Sequence, residues 1–328
     1  MIRLGGTEQM KEHYRMQRGI PTLETLAREM RFALRQLRKS PGFTLTAMLT
    51  LAFGIGATTA IFSIVEGVLL RPLPFPDQAR LMTLGDRLEG VKYVEGDAPG
   101  VTAPGVVTYM RDTHAFSSLG GYQPSTFELS GVSEPAQINA ARLTASIYQV
   151  LGVSPLMGRV FTQEEDEGRQ PVAVLSYATW RSRFHADTHI LGQKISLDRK
   201  PYEIIGVMPR GFEFPLVPGH LNRSELWVPV SFTQPELAQG AGAWAFYLVG
   251  RLKPGVTPAQ AQDDAGGAAR EIMRNFPPAL SNRRIHPMVQ PLDEITVGSA
   301  RPLIRTFFFA VLVVLFIACA NLAGLLLV

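Results

Sequence analysis

His185 and His189 stand four residues apart, the spacing at which two imidazoles share a helix face and hold a zinc ion. The residues between them, Ala186-Asp187-Thr188, lack the glutamate that a metalloprotease uses as base. Gly192 signals a turn close behind, so the pair reads as a surface turn and not as a metal site. Glu164-Glu165-Asp166-Glu167 collects carboxylates, but a consecutive acidic run is the pattern of a solvated loop, not of an acid/base pair. The chain contains no Gly-Lys pair and therefore no phosphate-cradling loop, so any ATP must sit on another chain. Leu129-Ser130-Gly131 matches a fragment of an ATPase signature at a strand end, without the rest of it. No Gly-x-Ser-x-Gly elbow occurs either. Catalytic, cofactor and metal sites are therefore not expected in this chain.

The remaining chemistry concerns lipid. Between Lys39 and Glu66 no side chain is charged, and Thr44–Leu70 is long enough to cross a hydrocarbon core of about 30 Å as a helix. A signal peptide is the lesser reading, since its apolar core is only about 7–15 residues and this run overshoots that length. Ala52, Gly56 and Ala60 recur every four residues and line one helical face, where a partner helix can approach closely. Phe307–Val328 forms a second uncharged run carrying the small pair Ala320 and Gly324. The chain stops within or at the end of that run, as an N-terminal fragment would, and its single cysteine, Cys319, lies there. Glu66 is the one acid near a span; its place before Arg71 suits an interfacial position, hydrated or paired with Arg71.

The whole chain of 328 residues carries +4. Its first 39 residues hold nine Lys/Arg against four Glu, a local +5, which leaves −1 for the rest. A nucleic-acid binder spreads its basic excess over a folded face, whereas here it precedes a span and puts the N-terminus in the cytoplasm. Leu23–Leu37 reads as an amphipathic helix, and Arg28, Arg31, Arg35, Arg38 and Lys39 form a basic group for the headgroup layer. Pro41-Gly42 is expected to break that helix before the span begins.

These readings divide the chain into a cytoplasmic tail and basic helix (1–43), a first transmembrane helix (44–70), an extracytoplasmic domain (71–302) and a second transmembrane helix (303–328). Within the domain, Arg80–Asp86, Pro104–Thr113 and Gly121–Leu129 read strand, helix, strand. Trp244–Leu252, a helix from Thr257 to about Asn275, and Ile285–Leu292 repeat the pattern, with Thr257, Pro258 and Gln260 as a capping box. The expected fold is thus α+β, with two β-α-β units (71–130 and 227–302) split by a β-rich insertion (131–226). In the insertion, Pro171–Leu175 reads as a buried strand, Thr179–Phe184 as a short helix, and Gln193–Leu197 with Tyr202–Val207 as a hairpin.

The ordered layout, together with a set of local motifs, resembles the MacB/FtsX-type permeases of ABC transporters, especially their duplicated orphan branch in bacteria. The motifs are Arg35-Gln-Leu-Arg-Lys-Ser-Pro-Gly-Phe-Thr44, Leu51-Ala-Phe-Gly-Ile-Gly-Ala-Thr-Thr-Ala-Ile-Phe-Ser63 and Leu70-Arg-Pro-Leu-Pro-Phe75. Further along stand Leu151-Gly-Val-Ser-Pro-Leu-Met-Gly-Arg-Val-Phe161, Val174-Leu-Ser-Tyr177 and Ile205-Gly-Val-Met-Pro209. Gly250-Arg-Leu-Lys-Pro-Gly-Val-Thr257 and Ile317-Ala-Cys-Ala-Asn321 complete the set. The resemblance implies a porter-like periplasmic core with a β-rich insertion, in the inner membrane of a bacterium. It also implies a separate cytoplasmic ABC ATPase, a dimer of permeases, further spans, and room for a periplasmic partner. Motion, not substrate, would pass through the helices. Phe184-His185-Ala186-Asp187 departs from the pattern, which leads one to expect a glycine after the phenylalanine. A membrane-anchored periplasmic sensor or adaptor without an ATPase is the alternative, and a periplasmic hydrolase the weakest reading.

Overall fold

The computed structural model describes residues 31, 35, 38–39, 41–65, 74–91, 99–131, 135–215, 223–239, 243–280, 282–294 and 300–326. By contact density the chain divides into two units, 1–66 with 304–328 and 67–303.

The described residues of the first unit are helical. Helix α1, Pro41–Val65, has 25 residues. Arg31, Arg35, Arg38 and Lys39 upstream of it are also helical and exposed, whereas Arg28 lies outside the described residues. Pro41 stands in the first turn of α1, where a missing N–H costs nothing, and α1 thus begins ahead of the expected Thr44. The second long helix, Ala300–Leu326, has 27 residues and starts before the expected Leu303, again with a proline, Pro302, in its first turn. Among the described residues no helix is long and apolar enough to cross a membrane. The two expected spans include positions outside that set, Glu66 among them.

The second unit is built on one sheet. In chain order come β1 (Leu81–Leu88), α2 (Ala103–Asp112), β2 (Phe116–Ser130), β3 (Ala136–Leu143), α3 (Ile147–Leu151) and β4 (Met157–Gly158). Then follow α4 (Gln163–Glu167), β5 (Val172–Leu175), α5 (Tyr177–Arg183), β6 (Lys194–Leu197), β7 (Lys200–Val207) and β8 (Leu226–Pro229). The chain returns through α6 (Gln234–Ala238), β9 (Tyr247–Leu252), α7 (Pro258–Arg274) and β10 (Ile285–Pro291), and then reaches α8, the Ala300–Leu326 helix. The two strand–helix–strand units and the hairpin lie at or near the expected positions. Six elements had no expected counterpart: β3, α3, β4, α4, β8 and α6.

The strand order is β10-β1-β9-β2-β3-β8-β5-β7-β4, with β6 bridging β2 and β7. The two outer units and the insertion are therefore parts of one sheet, joined by the 15-residue β2, which pairs with β9 at its start and with β3 and β6 beyond. Alternation sorts each strand between cores. On β1, Met82 and Leu84 join a cluster with Tyr109 of α2 and Ala265 and Ile272 of α7, while Leu81 joins another with Val249, Tyr122 and Leu143. A third cluster, around Trp180 and Phe184, sits under the β6–β7 hairpin. The insertion is also less purely β than expected, since α3 and α4 lie within it beside the expected helix α5.

Candidate functional site

The chain comes into the sheet at Leu81 and leaves it at Pro291, and the ladder sets Met82 opposite Pro291. Both connections to the long helices thus meet at one end of one antiparallel strand pair. Each is anchored in the same apolar cluster. Phe75, upstream of β1, is 5% exposed and meets Phe212 edge-on; Leu292, past β10, is 3% exposed. The turn between Phe75 and β1 is held by arginines. Arg80 donates through Nε (2.9 Å) and Nη2 (2.6 Å) to the Leu252 carbonyl. Arg251 donates to the carbonyls of Val150 (3.0 Å) and Asp77 (3.2 Å). Gly152, left-handed at φ 67°, ends α3 beneath Pro76; a Cβ there would stand 2.8 Å from the proline ring. That contact gives the glycine of the Leu151-Gly-Val motif its reason.

The edge beside this crossing is blunted. Pro287 and Pro291 lack N–H groups, and the Val289 N–H is taken by the Gln262 side chain of α7 (3.3 Å).

In the helical unit, Gly54 packs against the opposite helix. It is buried, and a Cβ on it would stand 3.1 Å from Leu315 of α8. The stripe Ala52, Gly56 and Ala60 is exposed, Gly56 having open space beside it. Ala320 is exposed as well, and the surroundings of Gly324 lie outside the described set. The α1–α8 contact therefore uses another face than the four-residue stripe.

The histidine pair sits in the surface turn expected of it, whereas the acidic run does not sit in a loop. His185 and His189 are exposed in the turn after α5, and no cluster of metal-ligating residues occurs among the described residues. The acidic run is a correction: it is a short capped helix, not a loop. Thr162 and Glu165 form a capping box, and Arg159 grips the Glu165 carboxylate with two bonds of 2.7 Å. Asp166 turns inward to accept from the Ser231 N–H (2.6 Å), and burial pushes its carboxyl up to about 6.

Two further polar centres, a buried Asp86 and a half-buried Arg142, were not expected from the sequence. Asp86, 1% exposed, accepts from the Tyr109 hydroxyl at 2.5 Å, and burial pushes it up to about 7 although that bond pulls it down. The signal was present: Asp86 continues the alternation Met82, Leu84 on the core side. Arg142 donates to the Val230 carbonyl (Nε, 3.0 Å), to Gln123 (2.7 Å) and to Glu236 (2.8 Å), which ties β3 to the segment after β8 and to α6. It lies on β3, which the sequence pattern did not reveal.

Among the described residues the geometry is one of anchoring contacts. Residues 44–268 match the family described as MacB-like periplasmic core domain. The chain is 24% identical over 259 residues to the macrolide export ATP-binding/permease protein MacB 2 of Aeromonas hydrophila, covering 72% of this chain and 36% of that protein. To the MacB of Nitrosomonas europaea it is 25% identical over 208 residues, 60% of this chain and 29% of that one. The chain thus spans under two fifths of the length of the curated relatives it matches. Among solved structures, the periplasmic region of MacB from Actinobacillus actinomycetemcomitans aligns at 14% identity with a TM-score of 0.48, covering 74% of this chain and 98% of that one. Over its larger part, the chain belongs to the MacB-like periplasmic core domain family of ABC transporter permeases.

Proposed function

We propose that this chain is the permease subunit of an ABC-type transporter that carries motion from a separate cytoplasmic ATPase into a periplasmic domain. The observation that carries the reading is the convergence at Met82 and Pro291. With Phe75 and Leu292 held in one apolar cluster beside this strand pair, a displacement of α1 against α8 would load the β1–β10 ladder. The strand pair would then turn as a unit, since antiparallel hydrogen bonds resist shear along the strands.

In this reading the sequence runs 44–70 and 303–328, which include residues outside the described set, cross the inner membrane. At about 1.5 Å per residue each would reach about 40 Å as a helix, against a hydrocarbon core of about 30 Å. Their exposed Met48, Phe53, Phe62, Phe309 and Phe316 would be at home in lipid. Arg28, Arg31, Arg35, Arg38 and Lys39 keep the N-terminal side in the cytoplasm. The free stripe Ala52, Gly56 and Ala60 takes a helix from a second copy or from a later span, with Ala320 and Gly324 serving a similar role on α8.

The test places a spin label at Thr188 on each copy in nanodiscs, with a candidate ABC ATPase subunit reconstituted alongside. ATP trapped with vanadate should shift the label-to-label distance, and only when the ATPase is present. A distance indifferent to nucleotide would leave an anchored sensor or adaptor as the better reading.

A further inference from the structure

A cleft of about 580 Å3 opens where β3, the start of β7 and the end of β8 meet. Its walls are apolar: Phe127, Tyr202, Val228 and Pro229. Its charges are unequal. Arg142, on the floor, is matched by Glu236. Arg169 and Lys200 also line the cleft, are exposed, and make no ion pair among the described residues. Asp198, two residues before Lys200, commits its carboxylate to the Glu128 N–H (2.8 Å). The cleft therefore carries a net positive charge over an apolar wall.

The wall is also held rigid from behind. Arg142 bonds the Val230 carbonyl through Nε and again through Nη2. Asp166 takes the Ser231 N–H through its carboxylate, and its backbone carbonyl accepts the Ser231 hydroxyl (3.2 Å). Ser231 and Arg169, both lining the cleft, stand at φ 45° and 54°, a region that side chains other than glycine rarely adopt. A preformed concavity of this size, mostly apolar with a few placed polar groups, is the usual form of a small-molecule site. Carrying a positive charge that its own acids leave unmatched, it selects for the sign of its occupant.

We infer that this cleft binds a small amphipathic anion, an aromatic or alicyclic body laid on Tyr202 and Val228 with one carboxylate or sulfonate between Arg169 and Lys200. The inference stands independently of the permease reading, since it uses only the folded domain.

Titration calorimetry on the full chain in lipid nanodiscs, with empty discs subtracted, tests it. The probe is naphthalene-2-sulfonate, compared with the neutral sulfonamide and with the 2-naphthylmethylammonium cation. The sulfonate should bind saturably and more tightly than either comparator. Arg169→Gln combined with Lys200→Gln should weaken it by about fivefold or more, without lowering the melting temperature, because both side chains are exposed. Lys200→Arg, which keeps the charge, should retain binding. Absence of saturable heat, equal binding of anion and cation, or binding indifferent to the double substitution would each overturn the site. Should the double variant melt early, the single substitutions decide by the same criterion.

Discussion

Met82 and Pro291 face each other across the β1–β10 ladder, so the first and last strands of the domain share the end from which both long helices are reached. Phe75 and Leu292 lock the two approaches into one cluster. Phe75→Ala should destabilise the folded domain by about 3–5 kcal/mol, the range for a buried phenylalanine reduced to a methyl. Leu292→Ala should cost about 2–5 kcal/mol. Chemical denaturation measures both. A loss under 1 kcal/mol for Phe75→Ala (less than roughly a third of the low end of that range) would show that the approach is not anchored.

Asp86 sets a pH dependence. Its carboxyl is pushed up to about 7 in the fold, against an ordinary value of 3.8. Between these values the native state holds a proton that the unfolded chain has lost, so stability falls as pH rises from about 4 to about 7 and then levels. Asp86→Asn keeps the shape and still accepts from Tyr109, and should flatten that slope. Melting temperatures across this range decide it, and an unchanged slope in the variant would assign the dependence to other groups, Asp166 first.

His185 and Ala186 both adopt left-handed backbone, at φ 50° and 56°. This is the turn where a glycine was expected after Phe184. Glycine takes that conformation without the Cβ clash that costs other residues roughly 1–2 kcal/mol. His185→Gly should therefore raise stability by about 0.5–1 kcal/mol net of chain entropy. A lower melting temperature in the variant would mean that the imidazole makes up the difference.

Gly54 and Gly56 should part company. Gly54→Leu meets Leu315 and forces α1 from α8, so cysteine cross-linking between these two helices in membranes should drop. Gly56→Leu enters open space and should leave that cross-link intact, while weakening cross-links to a second copy's α1 if the Ala52-Gly56-Ala60 stripe is the dimer contact. Met48→Leu serves as the control. An α1–α8 cross-link lost with Gly56→Leu would reverse the assignment of faces.

What was legible in the sequence follows from local rules. Thr257, Pro258 and Gln260 announce a helix start because an N-cap hydroxyl, a proline and a returning side chain satisfy the first-turn groups among themselves, and the structure has that capping box. The β6–β7 hairpin follows from β-rich runs flanking a short polar turn. Other features depend on partners far along the chain. The acidic run is a capped helix because Arg159 and Ser231 receive its carboxylates, and no period within four consecutive acids can say so. β3 and β8 pair in parallel only once α3, α4 and α5 have been folded between them, so neither carried a local signal. A small-residue spacing marks which faces a helix could pack, but the Gly54–Leu315 contact was selected by the opposing side chain. The meeting of Met82 with Pro291 likewise belongs to the tertiary structure, because strand order is decided by which pairings bury apolar faces on both sides of the sheet.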